Sequence, residues 1–145
     1  KIGIQQCQLT DQEFLTGKFK MIPIRFEMDG KVFFSIGQVE GETFYHWVYM
    51  IGSQFEAMNY SYTLEYFGTS KSTCTYTGQV VPIDEPSQSI IKIGNCFGMS
   101  CKVFKLQFID ENFRFNYSVK IRNLKEEAKD ENVESGVSDV SDDNE

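Results

Sequence analysis

Alternation of apolar and polar residues dominates the chain as far as Ile121. "FKMIPIRFEM" (Phe19 to Met28) is apolar-rich and mostly alternates through Met21 or Ile22, Ile24, Phe26 and Met28. Pro23 lies inside it. A proline has no N–H for a ladder, so the pattern predicts an edge strand, or a bulge at Pro23. Asp29-Gly30 then reads as a tight turn into "KVFFSIGQV", which completes a β-hairpin. "FYHWVYMIG" (Phe44 to Gly52) is apolar or aromatic at both alternating sets of positions, as an inner strand covered on both sides would be.

"SQFEAMN" reads as a connection with a helical turn. "YSYTLEYF" alternates cleanly, with Tyr60, Tyr62, Leu64 and Tyr66 on one face. "TCTYTGQVVPI" pairs back after the turn "GTSKS", and "DEPSQS" is a loop. Shorter apolar pieces follow at Ile90 to Met99 and Val103 to Phe108. A final strand, "FRFNYSVKI", turns Phe113, Phe115, Tyr117, Val119 and Ile121 inward. The whole predicts an all-β antiparallel sandwich or barrel of seven to eight strands, spaced at roughly 8–12 residues, with no helix of real length before Asn123.

After Arg122 the composition changes. Residues 123–145 have no aromatics and hold 9 acidic and 2 basic residues, against 12 of each in residues 1–122. The net charge of −7 therefore belongs to the tail. Residues 1–122 form one domain, and 123–145 an acidic tail, a short helix followed by a disordered stretch. The disordered part has too little to bury to offset its ordering entropy. Ser135, Ser138 and Ser141 either solvate this tail or serve as phosphorylation sites that tune a partner.

A neutral body with an acidic tail argues against nucleic acid, which calls for a basic stripe, and against anionic membranes. No apolar run is long enough to span a bilayer, and "KIGIQQCQLT" lacks the apolar core of a signal peptide. A first residue other than Met suggests a piece of a longer protein. The four cysteines (Cys7, Cys74, Cys96, Cys101) form no CxxC pair and the chain has one His, so we expect neither a zinc site nor any cofactor in this segment. Reduced thiols fit a cytoplasmic protein, or a nuclear one.

Chemistry is sparse. His46 is the one candidate imidazole, and it sits among core-like neighbours. There is no nucleophile motif around any serine, and no phosphate-binding loop. We assign no catalytic residue and read the chain as a binding module. The stretch Phe44 to Gly68 carries 9 aromatic residues in 25. It reads as core from two consecutive strands, with Tyr45, Trp47 and Tyr49 as aromatics that could instead face a dimer partner, being apolar with polar tips.

The order of these pieces resembles the TRAF-like substrate-binding domain of Siah (seven-in-absentia) type ubiquitin ligases. The residues that carry the resemblance are Ile51-Gly52, Ala57 and Asn59, the strand Tyr60-Ser61-Tyr62-Thr63-Leu64-Glu65, Asn95-Cys96, and the closing strand Tyr117 to Ile121. The run Tyr45-His46-Trp47-Val48-Tyr49 is similar to the cysteine-and-histidine-rich, TRAF-type zinc-finger branch. The resemblance covers roughly Phe33 to Ile121.

It implies an eight-stranded sandwich that forms a homodimer and recruits protein or peptide clients for ubiquitin transfer, with RING and zinc modules upstream and no catalysis by this segment alone. Zinc is expected only in those upstream modules. The family's peptide groove falls on Met21, Ile22 and Ile24, with Arg25 and Phe26 beside them. The family has a Trp where this chain has Ile22, which implies a different ligand motif or a lost groove. The alternative is a non-enzymatic oligomerisation scaffold of a TRAF-type zinc-finger protein.

Overall fold

The computed structural model describes residues 19–128 in full and the backbone of residues 2–8. Among them are nine strands, β1 (Ile2–Gln8), β2 (Ile24–Met28), β3 (Lys31–Glu40), β4 (Thr43–Met50), β5 (Tyr60–Phe67), β6 (Thr73–Gln79), β7 (Val81–Pro82), β8 (Phe97–Ser100) and β9 (Arg114–Asn123). The named helices are short: α1 (Gln54–Ala57), α2 (Ser87–Ile93) and α3 (Cys101–Phe108). No helix among the described residues is long and apolar enough to cross a membrane.

The strands form a sandwich. One sheet has the order β1-β9-β5-β6. The other runs β2-β3-β4, and both β7 and β8 pair with β4. All pairings are antiparallel except the short β4–β7 contact. Between the sheets lies an aromatic core. Phe44 of one sheet meets Phe115 of the other at 6.0 Å, and Phe33 meets Tyr60 at 5.1 Å, both edge to face. Such pairs add roughly 0.5–1.5 kcal/mol each beyond their burial.

The β2–β3 hairpin has the expected geometry. Asp29 and Gly30 both take positive φ (57° and 73°), the pair of left-handed residues that matches the twist of the flanking strands. Both alternatives for Pro23 also hold. β2 is an edge of its sheet. Ile24 lies opposite Ser35 and Lys20 opposite Gln38, so four steps along this strand match three along β3. The extra residue is a bulge that contains Ile22-Pro23.

Two expectations change. The stretches read as short apolar pieces, Ile90 to Met99 and Val103 to Phe108, fall largely in α2 and α3, with residues 97–99 in β8, and α2 begins at Ser87, inside the stretch read as the loop "DEPSQS". In α3, Cys101, Phe104 and Phe108 are buried at helical spacing, and Ser100 caps the start by accepting from the Val103 N–H at 3.2 Å. A helix of two turns was illegible because Phe104, Leu106 and Phe108 also form an alternating apolar set over so short a span, although Leu106 is exposed. Strand β1 was not foreseen either. "IGIQQCQ" has weak strand character, and its place is fixed by pairing with β9 over seven register positions. At the other end, Asn123 caps a helical turn at 124–128 by accepting from the Lys125 and Glu126 N–H groups at 3.0 and 3.3 Å. The remainder of the tail, with Ser135, Ser138 and Ser141, lies outside the described residues.

Candidate functional site

Three places could carry function: the histidine, the edge at Pro23, and the outer face of the β4 sheet. His46 pairs with Gly37 on β3, and its ring points into the core. Its Nε2 shares a hydrogen bond of 2.7 Å with Ser35 Oγ, and its Nδ1 one of 2.6 Å with the Tyr66 hydroxyl from the facing sheet. Histidine, serine and tyrosine are all sealed from solvent. Burial lowers the imidazole pKa to about 3 and pushes the Tyr66 phenol well up, so the chain of bonds is neutral. A serine hydrogen-bonded to an imidazole has the geometry of a nucleophile and its base. Here no substrate can reach it, and the third partner is a phenol. The chain of bonds ties the two sheets together through the core, and its partners lie 11 and 20 residues from His46 in sequence.

The described cysteines carry free thiols: Cys74 is half-buried, Cys96 and Cys101 are buried. Burial raises all three, Cys96 to about 11, so they hold their protons at neutral pH. No group of three metal-ligating side chains occurs among the described residues. A cleft of about 530 Å³ opens beside the end of α3, lined in part by Thr69, Asp110, Glu111 and Arg114. The Asp110 carboxylate there already accepts from the backbone N–H groups of Asn112 and Arg114, at 2.8 and 3.0 Å, and so shapes the turn.

The edge residues divide. Met21 and Phe26 are buried, where they pack into the core and offer nothing to a partner. Ile22 stands 84% exposed on the bulge. Ile24 is half-buried, and Arg25 is exposed and bonded to Glu27 at 3.0 Å. Alternation explains the division, because Phe26 shares its face with Phe33, its partner on the core side of β3. At Met21 the bulge shifts the register, and the thioether lies over Gly37, where a Cβ would overlap it. Met21 is held there by main-chain bonding, its N–H donating to Gly37 O at 2.8 Å.

On the outer face of the same sheet, Trp47 is fully buried, while Tyr45 and Tyr49 are half-buried. The Tyr49 hydroxyl donates to Glu85 O at 2.8 Å, which draws the loop before α2 over the sheet. Phe34 and Ile36 of β3 lie opposite Tyr49 and Trp47 and are half-buried too. They extend the apolar row that Tyr45 and Tyr49 begin. Their signal in the sequence was the second alternating set of "KVFFSIGQV", which is also apolar.

No family model matches the chain, and no curated protein is similar to it.

Proposed function

We propose that this chain is a partner-recruiting domain. It holds a protein or peptide client for a zinc-finger or RING-bearing ubiquitin ligase of the type its sequence resembles, and it does no chemistry of its own. The observation that supports the reading is Ile22, a large apolar side chain left 84% exposed at a bulged strand edge, with Ile24 and Arg25 beside it. An exposed isoleucine alone is ordinary, but one lifted out of the strand on a bulge is placed to fill a partner's pocket. The test is client capture by the full chain and by an Ile22→Glu/Ile24→Glu variant. We expect capture to be lost and the melting temperature to stay close to that of the parent. Full capture by the folded variant would sink the assignment.

The second reading is a homodimerising scaffold. The half-buried outer row of Phe34, Ile36, Tyr45 and Tyr49 favours it, since an apolar sheet face of that kind suits contact with a second copy. Light scattering on the parent and on a Tyr45→Lys variant separates the readings. A dimer that dissociates in the variant, with client capture intact, assigns this face to self-association.

A further inference from the structure

Two of the outer strands, β2 and β6, differ in how far their free edges are guarded. In the β2–β3 hairpin, the pair Met28–Lys31 closes the two-residue turn and is hydrogen-bonded. Bonding alternates from there, so only Arg25 and Glu27 aim their main-chain groups outward. The edge is five residues long, begins beside Pro23 and the bulge, and bears a charged pair. Shortness, proline, bulge and charge are the devices that keep a strand edge from pairing.

Strand β6 has none of them. It is seven residues, "TCTYTGQ", without charge or proline. Its pairing with β5 is fixed at both ends: the Gly68 N–H donates to Ser72 O at 2.6 Å, and the Val80 N–H to Tyr60 O at 3.3 Å. Alternation between these ends makes Tyr62–Gly78, Leu64–Tyr76 and Tyr66–Cys74 the hydrogen-bonded pairs. Thr73, Thr75, Thr77 and Gln79 therefore turn their N–H and C=O groups away from β5. The 3.0 Å contact between the hydroxyls of Thr63 and Thr77 agrees, since side chains approach most closely at pairs without main-chain bonds. Among the described residues β6 ends its sheet, and no described strand pairs with these groups. Thr73, Thr75 and Thr77 are exposed on the outer face. Cys74 and Tyr76 stay half open on the inner one, where the Tyr76 ring rests 5.9 Å from Phe97 of the other sheet.

We propose that the free edge of β6 accepts an extended segment of a partner protein as an added strand, a second docking surface separate from Ile22. The choice of occupant rests on the partner-recruiting reading above. The segment is uncharged and free of proline at its centre. One set of its alternate residues is β-branched, to lie beside the threonine row, and the other apolar, to enter the seam at Cys74 and Tyr76. Main-chain bonds at Thr75 and Thr77 give most of the affinity, and the seam gives the choice.

The outward geometry supplies a selective test. Proline at position 75 removes an N–H that β5 does not use, so Thr75→Pro closes the edge and leaves the β5–β6 ladder in place. The probe is a displayed library of linear peptides selected on the full chain, followed by affinity measurements for the recovered peptide. We expect one alternating motif that binds about tenfold or more weakly to Thr75→Pro, corresponding to about 1.4 kcal/mol or more, and equally well to Ile22→Glu/Ile24→Glu. Amide exchange on the unmutated chain is the second measurement, and the peptide should slow the Thr75 and Thr77 amides. Equal binding to Thr75→Pro with those two amides unprotected overturns the proposal, as does recovery of no peptide. Loss only in the Ile22 variant overturns it and leaves the first docking site standing. Loss in neither variant counts against both. A peptide-free dimer that Thr75→Pro abolishes would make the occupant a second copy and overturn the assignment to a partner.

Discussion

His46 makes the fold sensitive to acid in a calculable way. In the unfolded chain its imidazole titrates near the ordinary 6.5, and in the core burial lowers it to about 3. Between those values the unfolded state binds the proton and the folded state does not, so stability rises with pH through this window. The contribution is complete above about pH 6.5, is lost as the pH falls, and stops changing below about 3. Each unit of separation is worth about 1.4 kcal/mol, so the step from pH 7 to pH 4 costs about 3 kcal/mol through this one group. Against a typical total of about 5–15 kcal/mol that is a large share. Urea unfolding of the parent and of His46→Gln, each at pH 7 and pH 4, isolates it. The carboxylates titrate in both proteins, and the glutamine does not. At pH 7 the variant should be the weaker by about 1–3 kcal/mol, because Ser35 or Tyr66 loses a buried partner. From pH 7 to pH 4 the parent should lose about 3 kcal/mol more than the variant. Parallel losses in the two proteins would refute the reasoning, and so would an imidazole resonance of the folded parent that titrates near 6.5.

Other positions give sharper yes-or-no outcomes. Gly78→Ala puts a Cβ within 2.9 Å of the Tyr62 and Tyr76 rings, so thermal melts should show a loss of about 1–3 kcal/mol. Phe104→Ala empties a fully buried site in the aromatic core and should cost about 3–5 kcal/mol, whereas Leu106→Ala on the exposed side of α3 should change stability by less than about 0.5 kcal/mol. In denaturant titrations Phe26→Glu should unfold the domain and Ile22→Glu should not, a direct check that these two apolar residues, on either side of Pro23, face opposite ways. Mass spectrometry after brief alkylation at neutral pH should find Cys96 unmodified in the folded protein and labelled once urea is added, since burial holds its thiol at about 11.

Much of the sandwich was readable from pattern alone. Period-two alternation marked β2 to β6 and β9, and Asp29-Gly30 marked the hairpin, because both signals are local and a turn of two left-handed residues accepts few sequences. Pro23 announced an edge or a bulge for a local reason as well, its missing N–H. The aromatic stretch around Trp47 was legible as core for the same cause: both of its faces are apolar, and Trp47 is sealed. The helical turn at α1 was read from "SQFEAMN", but the weak strand β1 and the helices α2 and α3 were not legible, because over seven or eight residues a strand and a helix can bury the same number of apolar groups.

The sequence determined which residues alternate, where the chain turns, and that no catalytic motif is present. The tertiary structure decided which of two apolar neighbours is offered outward. Met21 and Ile22 are both large apolar residues, and a one-residue shift in the pairing buries the first against Gly37 and exposes the second. It also decided that His46 finds Ser35 and Tyr66, because register and the facing of two sheets set distances that no spacing along the chain encodes. The free edge of β6 has the same origin. Its threonines carry no mark of the direction in which their main-chain groups point. That direction follows from the hydrogen-bond phase of the β5–β6 ladder, and the phase exists only once both strands are in place.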